Sequence, residues 1–230
     1  AQTLPEHIEA VVVPNGMPRT KPRALNYVLP RTSGSIVAIY DAEDVPEPDQ
    51  LRRAAGALAA DPRLGCVQAR LNVLNAKETW LTRQFAIEYT VLFDCLLPTL
   101  VALELPVPLG GTSNHFSRTA LEDVHAWDPF NVTEDADLGI RLARSGWTVG
   151  VIASTTWEEA PSTLSTWMKQ RTRWLKGWMQ TYLVHMRNPA RTARSLGWRQ
   201  FAGLQVLMGG LILSALVHPW FYVVALAEFT

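Results

Sequence analysis

The chain has 230 residues, of which 48% are hydrophobic and 18% charged, so it can bury a core and is not a disordered protein. Its 21 Lys and Arg balance its 21 Asp and Glu, which argues against nucleic acid as the main partner. Two cysteines, Cys66 and Cys95, lack the spacing of a metal site or disulfide framework and are predicted to be reduced thiols.

The first third of the chain predicts alternating strands and helices. Short runs rich in β-branched residues indicate strands over 8–13, 35–40 and 64–73. Helices are predicted between them, over 21–29 and 48–60. This alternation is typical of an α/β sheet with mostly parallel strand pairing.

Two further helices are predicted in the middle of the chain. Residues 80–105 are largely apolar, but charged residues and Pro98 interrupt them, so we expect an amphipathic helix rather than a membrane span. The stretch NVTEDADLGIRLARSGW, residues 131–147, indicates a helix with Thr133 as its N-cap and Gly146 as its stop.

The last third of the chain predicts membrane contact. Residues 163–186 place an apolar stripe beside four cations, which suits a helix at the membrane interface, although a helix facing a core has the same periodicity. No formally charged residue occurs from Gln200 to Ala227, which predicts a transmembrane helix; a buried helix is the alternative. Four arginines precede this stretch and place the α/β domain in the cytoplasm by the positive-inside rule: Arg187, Arg191, Arg194 and Arg199.

Two acidic clusters carry candidate chemistry. The first follows the strand at 35–40 and contains Asp41, Glu43 and Asp44. It lies where α/β sheets bind ligands, and it suits Mg²⁺ or Mn²⁺ bridging a diphosphate; an acidic turn is the alternative. The second lies at the N-terminus of a predicted helix and contains Glu134, Asp135 and Asp137. Acids there either oppose the helix macrodipole or present a catalytic carboxylate.

Together the clusters fit group transfer from a nucleotide diphosphate. A metal would stabilise the leaving group and a carboxylate would deprotonate the attacking hydroxyl. A third motif, QRTRW, places Gln170 and Trp174 at i and i+4, with Arg171 and Arg173 between them. It offers an aromatic platform for a sugar and cations for phosphate.

The three motifs, in this order and followed by a membrane span, resemble the processive, membrane-embedded family 2 glycosyltransferases of the cellulose-synthase-like type. The resemblance implies a partial GT-A (Rossmann-like) α/β fold, an inverting single displacement and a UDP-sugar or GDP-sugar donor. It makes Asp41 and Glu43 the acids for metal and diphosphate, with Asp44 as the adjacent candidate and Mg²⁺ or Mn²⁺ as cofactor. Asp135 becomes the general base, within a catalytic motif that includes Thr133 and Glu134.

The same resemblance assigns the residues that bind substrate. Gln170, Arg171, Arg173 and Trp174 become contacts of the donor diphosphate and the acceptor. The stretch KPRALN looks like the family's lysine-containing segment near the nucleotide, which marks Lys21 and Asn26. The stretch GGTSNHF lies where the family has a turn along the acceptor path, which marks Gly111, Thr112, Asn114 and His115. A loop or helix cap is the alternative for each stretch, and His115 is equally explained as a structural histidine.

The resemblance also implies the organisation of the whole protein. We expect a partial GT-A domain at 1–160 that lacks the N-terminal nucleotide-binding strands, an interfacial helix region at 161–199 and a transmembrane segment at 200–230. The expected function is hexosyl transfer to a growing polysaccharide, or to a lipid or short glycan, by a multi-pass inner-membrane protein with membrane lipid and synthase subunits as partners. A non-catalytic scaffold and a metal-dependent phosphohydrolase are the alternatives.

Overall fold

The computed structural model describes residue 5 and residues 7–228. The strands are β1 (Ile36–Ile39), β2 (Val45–Pro46), β3 (Leu64–Val73), β4 (Asn114–Ser117) and β5 (Thr148–Glu158). The helices are α1 (Lys21–Val28), α2 (Gln50–Ala60), α3 (Trp80–Tyr89), α4 (Leu97–Ala102), α5 (Arg118–Asp123), α6 (Glu134–Arg144), α7 (Leu164–His185), α8 (Pro189–Leu196), α9 (Trp198–Leu204) and α10 (Gly210–Glu228). Two π-helical segments, Thr90–Leu96 and Gln205–Gly209, join α3 to α4 and α9 to α10. A 3₁₀ turn, Leu29–Arg31, follows α1.

The five strands form one sheet in the order β1-β4-β3-β5-β2. Only β3 and β5 pair in parallel, and the other three pairings are antiparallel, so the prediction of mostly parallel pairing is wrong. The reason is that the short strand β4, which the sequence analysis did not anticipate, lies between β1 and β3. Because β4 is antiparallel to both, β1 and β3 still run in the same direction, and β5 runs with them. The ends of β1, β3 and β5 therefore meet at one edge of the sheet, together with the start of β4.

The predicted strand over residues 8–13 is also absent: these residues form neither a strand nor a helix. Ile8 is 49% exposed and Val12 is 88% exposed, so this apolar run has no sheet to bury it. The β-branched pattern indicates a strand only where a partner strand is available, since strand propensity mostly reflects packing against neighbours.

The segment at 80–102 agrees with an amphipathic helix. Its inward face contributes Phe85, Phe93 and Leu97 to the core, with at most 2% of each side chain exposed. Ile87 and Val91 lie on the opposite face and are more than half exposed. Among the described helices, this segment, Trp80–Ala102, and the later one, Trp198–Glu228, are long and apolar enough to cross a membrane. The later one differs because no side chain of its α10 portion is buried.

Helix α6 packs tightly against the rest of the domain at Gly139. A Cβ atom there would collide with the carbonyl oxygen of Val107 and lie 3.2 Å from the backbone nitrogen of Leu109. Neither atom can move as a flexible side chain end can. At Gly56 in α2, by contrast, a Cβ would meet no atom within 4 Å.

These two glycines give a matched stability prediction. We expect Gly139→Ala to lower the free energy of unfolding by about 1–3 kcal/mol, because the backbone must shift to admit the methyl group. We expect Gly56→Ala to raise it by about 0.5–1 kcal/mol, through the better helix propensity of alanine. Thermal unfolding of both variants beside the parent protein measures this. Equal melting temperatures for the two variants would contradict the packing at Gly139.

Candidate active site

The acidic loop that follows β1 lies at the shared edge of the sheet. Asp41 forms an ion pair with Lys21, and the Lys21 ammonium also donates to the carbonyl oxygen of Gly111 at 2.8 Å. One carboxylate oxygen of Asp44 accepts from the backbone N–H of Asp41 at 2.7 Å and from the hydroxyl of Thr112. The structure therefore brings together five of the predicted site residues: Lys21, Asp41, Asp44, Gly111 and Thr112. Glu43 is exposed beside them.

Buried side chains hold the turn that carries Gly111 and Thr112. Gln68 accepts from the N–H of Gly110 at 2.9 Å and donates to the carbonyl of Thr112 at 3.0 Å. Asn114 donates to the carbonyl of Gly110 at 2.6 Å. Asn114 thus supports the turn from within. Gln68 was missed by the sequence analysis, because a single glutamine inside a strand gives no signal.

Two residues predicted to bind substrate have structural positions instead. His115 has no exposed surface, and its ring nitrogens contact the Tyr40 hydroxyl at 2.9 Å and the carbonyl of Val67 at 3.3 Å. Burial lowers the pKa of His115. Asn26 donates to the carbonyl of Trp127 at 2.7 Å and accepts from the N–H of the same residue at 3.2 Å. The imidazole and the amide are therefore satisfied by the protein itself.

The N-terminus of α6 lies close to the turn that carries Gly111. Asp135 is partly buried, and one of its oxygens would lie 3.2 Å from a Cβ built on Gly111, so the two acidic clusters meet here. Burial raises the pKa of Asp135 to about 7; the neighbouring Glu134 adds to the rise, while the N–H of Ala136 and the charge of Lys21 oppose it. Burial also raises the pKa of Glu134, opposed by Lys21 and Arg173. A carboxyl group poised near neutral pH is what general base catalysis requires.

The third acid of the cluster, Asp137, has a different role. It is buried, bonded to Arg141 at 2.7 Å and to His185 of α7 at 3.0 Å. Burial opposes its ionisation, but the His185 hydrogen bond and the Arg141 charge outweigh burial and lower the pKa of Asp137. His185 also contacts Arg144 at 3.0 Å. Asp137 therefore joins α6 to α7.

A close contact packs α7 against the N-terminus of α6. A Cβ at Gly177 would lie 2.8 Å from the Thr133 hydroxyl oxygen and closer still to its methyl group. The Thr133 hydroxyl contacts Thr181 of α7 at 3.2 Å, and Asn131 donates to the same Thr181 at 2.9 Å. Thr133 occupies the predicted N-cap position, but its side chain makes no capping hydrogen bond. Its hydroxyl faces α7 instead.

The QRTRW segment on α7 is partly embedded. Arg171 lies over the rings of Phe85, Trp167 and Trp174, at 4.9, 5.4 and 4.9 Å, and forms an ion pair with Glu88. Trp174 packs against the core, with its ring 6.0 Å from that of Phe85.

The other two residues of the motif differ in exposure. Arg173 is exposed and lies close enough to affect the pKa of Glu134. The side-chain oxygen of Gln170 is buried without a hydrogen-bond partner among the described residues. Of the two predicted phosphate-binding arginines, Arg173 is therefore the accessible one.

Glu158, at the end of β5, was not anticipated by the sequence analysis. Burial raises the pKa of Glu158 to about 7; an interaction with the Tyr89 hydroxyl opposes the rise, and the negative charges of Asp44, Asp41 and Glu43 add to it. The sheet topology brings this acid to the edge where the acidic loop lies. Its isolated position after a strand gave no pattern to detect.

The acidic loop has the donors that a hard divalent cation needs. One oxygen of Asp44 is buried without a hydrogen-bond partner among the described residues, and Asp41 and Glu43 lie beside it in the chain. In the described part of the chain, no group of three or more His, Cys, Asp or Glu side chains is arranged to hold a metal ion by itself. Magnesium at phosphate sites is usually held by one or two carboxylates together with substrate oxygens, so the residues present fit such an ion.

Comparison with known proteins supports the glycosyltransferase fold predicted from the sequence. A family model described as glycosyl transferase family group 2 matches residues 36–230. A probable glycosyltransferase of Bacillus subtilis, YdaM, is 30% identical over 169 residues, which are 73% of this chain and 40% of that protein. The beta-monoglucosyldiacylglycerol synthase of Synechocystis sp. is 32% identical over 182 residues, which are 78% of this chain and 37% of that protein. The chain thus spans about two fifths of the length of these curated relatives.

A solved structure shows the same architecture. The mannosyltransferase PcManGT from Pyrobaculum calidifontis, in complex with GDP-Man and Mn²⁺, matches with a TM-score of 0.55 at 23% identity, over 90% of this chain and 60% of that one. This likeness confirms the predicted GT-A fold class. Because the family model covers most of the sequence, the chain belongs to glycosyl transferase family group 2.

Proposed function

We propose that the protein is an inverting glycosyltransferase that moves a sugar from a nucleotide-diphosphate sugar to an acceptor hydroxyl at the cytoplasmic face of a membrane. The observation that carries this proposal is the position of Asp135. Its carboxyl group has a pKa raised to about 7 and adjoins Gly111, whose carbonyl binds the Lys21 ammonium beside Asp41. The proposed base therefore shares one edge of the sheet with the acidic loop and with Lys21, which pairs with that loop.

The residues divide the reaction between them. Asp135 takes the proton of the acceptor hydroxyl as its oxygen attacks the anomeric carbon from the side opposite the leaving nucleotide. Lys21 and the exposed Arg173 supply positive charge for the diphosphate. Asp41, Glu43 and Asp44 would hold Mg²⁺ or Mn²⁺, which when bound neutralises charge on the leaving diphosphate. The presence of Mn²⁺ and GDP-Man in the PcManGT structure supports this arrangement.

The acceptor we propose is a hydroxyl held at the membrane, on a growing polysaccharide or on a lipid. Helix Trp198–Glu228 is long enough to span a bilayer, and four arginines precede it or lie at its start. By the positive-inside rule these arginines hold the α/β domain in the cytoplasm. The name of the Synechocystis relative supports a lipid acceptor. Trp174 packs against Phe85 rather than standing free, so the QRTRW motif does not by itself favour a polymer.

A donor panel tests the proposal. Membranes that carry the full-length protein are incubated with radiolabelled UDP-sugars and GDP-sugars, with Mn²⁺ or Mg²⁺ or with EDTA. Products are separated into solvent-extractable lipid and insoluble polymer. We expect one donor to label one of these fractions, and EDTA to reduce labelling at least tenfold, because diphosphate departure needs charge neutralisation.

Three other outcomes would contradict the proposal. Donor cleavage without transfer to either fraction would indicate a phosphohydrolase. No consumption of any donor would indicate a non-catalytic scaffold. Labelling that is unchanged by EDTA would remove the metal from the mechanism.

A further inference from the structure

The charge of the chain is distributed unevenly. From Ala160 to Ala227 the sequence contains eight Lys or Arg residues and no Asp or Glu. Within the described structure, acidic partners occur for two of these eight, Arg171 with Glu88 and Arg199 with Glu104. The C-terminal third therefore presents a cationic surface, which the reaction at Asp135 does not explain.

The outer face of α7 is apolar and uncovered by other described elements. Leu164, Met168 and Leu183 are 62%, 51% and 63% exposed, although they lie on a helix whose opposite face packs on the protein. They continue through Leu175 and Met179 as one stripe at helical spacing. A core-facing helix would have buried this stripe, so its exposure requires another partner.

A groove on this face combines both features. It has a volume of about 580 Å³, and its floor is formed by Leu175, Met179 and Leu183. Lys176 of α7 and Arg187, which lies in the turn directly after this helix, also line it. The groove therefore has a cation towards each end and an apolar floor between them.

We propose that this groove, between Lys176 on α7 and Arg187 in the turn after α7, binds an anionic phospholipid of the membrane into which Trp198–Glu228 inserts. The phosphate lies against the cations and the acyl chains lie along the apolar floor, as on other interfacial helices. Charge complementarity favours this occupant over a neutral lipid, because each Lys or Arg near an anionic bilayer surface strengthens binding. The chain continues from this face through α8 into Trp198–Glu228, which is long and apolar enough to cross a membrane.

The site does not depend on the proposed glycosyl transfer. Lipid binding is measured without any sugar donor, so its failure and the failure of the proposed function are separate results.

The test uses the full-length protein in neutral detergent, titrated with phosphatidylglycerol or phosphatidylcholine, with bound lipid counted by native mass spectrometry. We expect phosphatidylglycerol to bind at least tenfold more tightly than phosphatidylcholine. The double variant Lys176→Gln, Arg187→Gln should weaken phosphatidylglycerol about 30-fold and leave phosphatidylcholine unchanged. The matched control Arg52→Gln, Arg53→Gln on α2 should alter neither.

Leu183→Gln separates the apolar floor from the charges. It should weaken both lipids, since it removes acyl-chain contact without changing charge. Equal binding of the two lipids by the parent protein would overturn the proposal, as would unchanged phosphatidylglycerol binding by the Lys176 and Arg187 double variant.

Discussion

Asparagine in place of Asp135 is expected to reduce sugar transfer by about 10²–10⁴-fold while making the folded protein more stable at pH 8. The loss of transfer follows from the loss of the proton acceptor, since general base catalysis contributes about this factor. The gain in stability follows from the environment of the carboxyl group, which is partly buried beside Glu134. An uncharged amide of the same size removes that unfavourable charge.

The pH dependence has a definite sign. The pKa of Asp135 is raised to about 7 in the folded protein, whereas an unfolded aspartate ionises near pH 4. The unfolded chain therefore loses its proton first, and folding stability falls as pH rises from about 4 to about 7. Asp135→Asn should have little effect on the melting temperature at pH 4 and raise it by a few degrees at pH 8. Parent activity should fall tenfold per pH unit below 7, as Asp135 becomes protonated.

Asp137→Asn is the matched control, two positions away on the same helix. Its carboxylate is bonded to Arg141 and His185, so the amide would leave the partly buried Arg141 without its charge partner. We expect the free energy of unfolding to fall by about 3 kcal/mol, because the remaining charge of Arg141 then lies in a largely apolar environment without a partner. The pKa of Asp137 is lowered by folding, so this stabilisation is present above pH 4 and is lost as pH falls further.

Melting curves of the full-length parent and both variants, at pH 4 and pH 8, measure these effects beside a transfer assay. A fall in melting temperature for Asp135→Asn at pH 8 would contradict the assigned environment of Asp135. Transfer by Asp135→Asn within tenfold of the parent would remove this residue from the chemistry.

Local sequence patterns predicted the helices far better than the strand pairing. The end of α6 was predicted from Gly146, and the structure gives this residue a φ of +85° with the N–H of Trp147 bonded back to Leu142 at 3.0 Å. Such a stop depends on residues next to one another in the chain. The pairing of β1 depends instead on β4, whose sequence NHFS contains no β-branched residue and so does not indicate a strand.

The same distinction applies to the candidate site. Asp41, Asp44 and Asp135 were found because acids cluster within a few positions of one another. Their different environments depend on distant partners: His185 lies 48 residues from Asp137, and Lys21 lies 20 residues from Asp41. No local pattern distinguishes Asp135, the proposed base, from Asp137, which joins α6 to α7; the difference in their contacts depends on the three-dimensional structure.

The contact between Gly177 and Thr133 carries the second large expected effect. A methyl group at position 177 would lie 2.8 Å from the Thr133 hydroxyl oxygen and nearer to its methyl group. Gly177→Ala must therefore push α7 away from the N-terminus of α6. Because α7 carries Arg173 and α6 carries Asp135, we expect kcat to fall about 10²-fold, as a displacement of about 1 Å in an active site can cause. The KM for the donor should rise by a smaller factor than kcat falls, because Arg173 moves with α7 while Lys21 and Asp41 are untouched.

Thr133→Ser provides the decisive comparison, because it removes the atom nearest to the new methyl group and keeps the hydroxyl that contacts Thr181. The hydroxyl oxygen still lies 2.8 Å from that methyl group, so the double variant Gly177→Ala, Thr133→Ser should recover part of the lost kcat, whereas Thr133→Ser alone should stay within about tenfold of the parent. Gly56→Ala, in open space on α2, controls for the helix propensity of alanine. Recovery would show that the loss came from the contact between positions 177 and 133. A double variant as slow as Gly177→Ala, or a Gly177→Ala protein as fast as the parent, would show that this contact does not position the QRTRW helix.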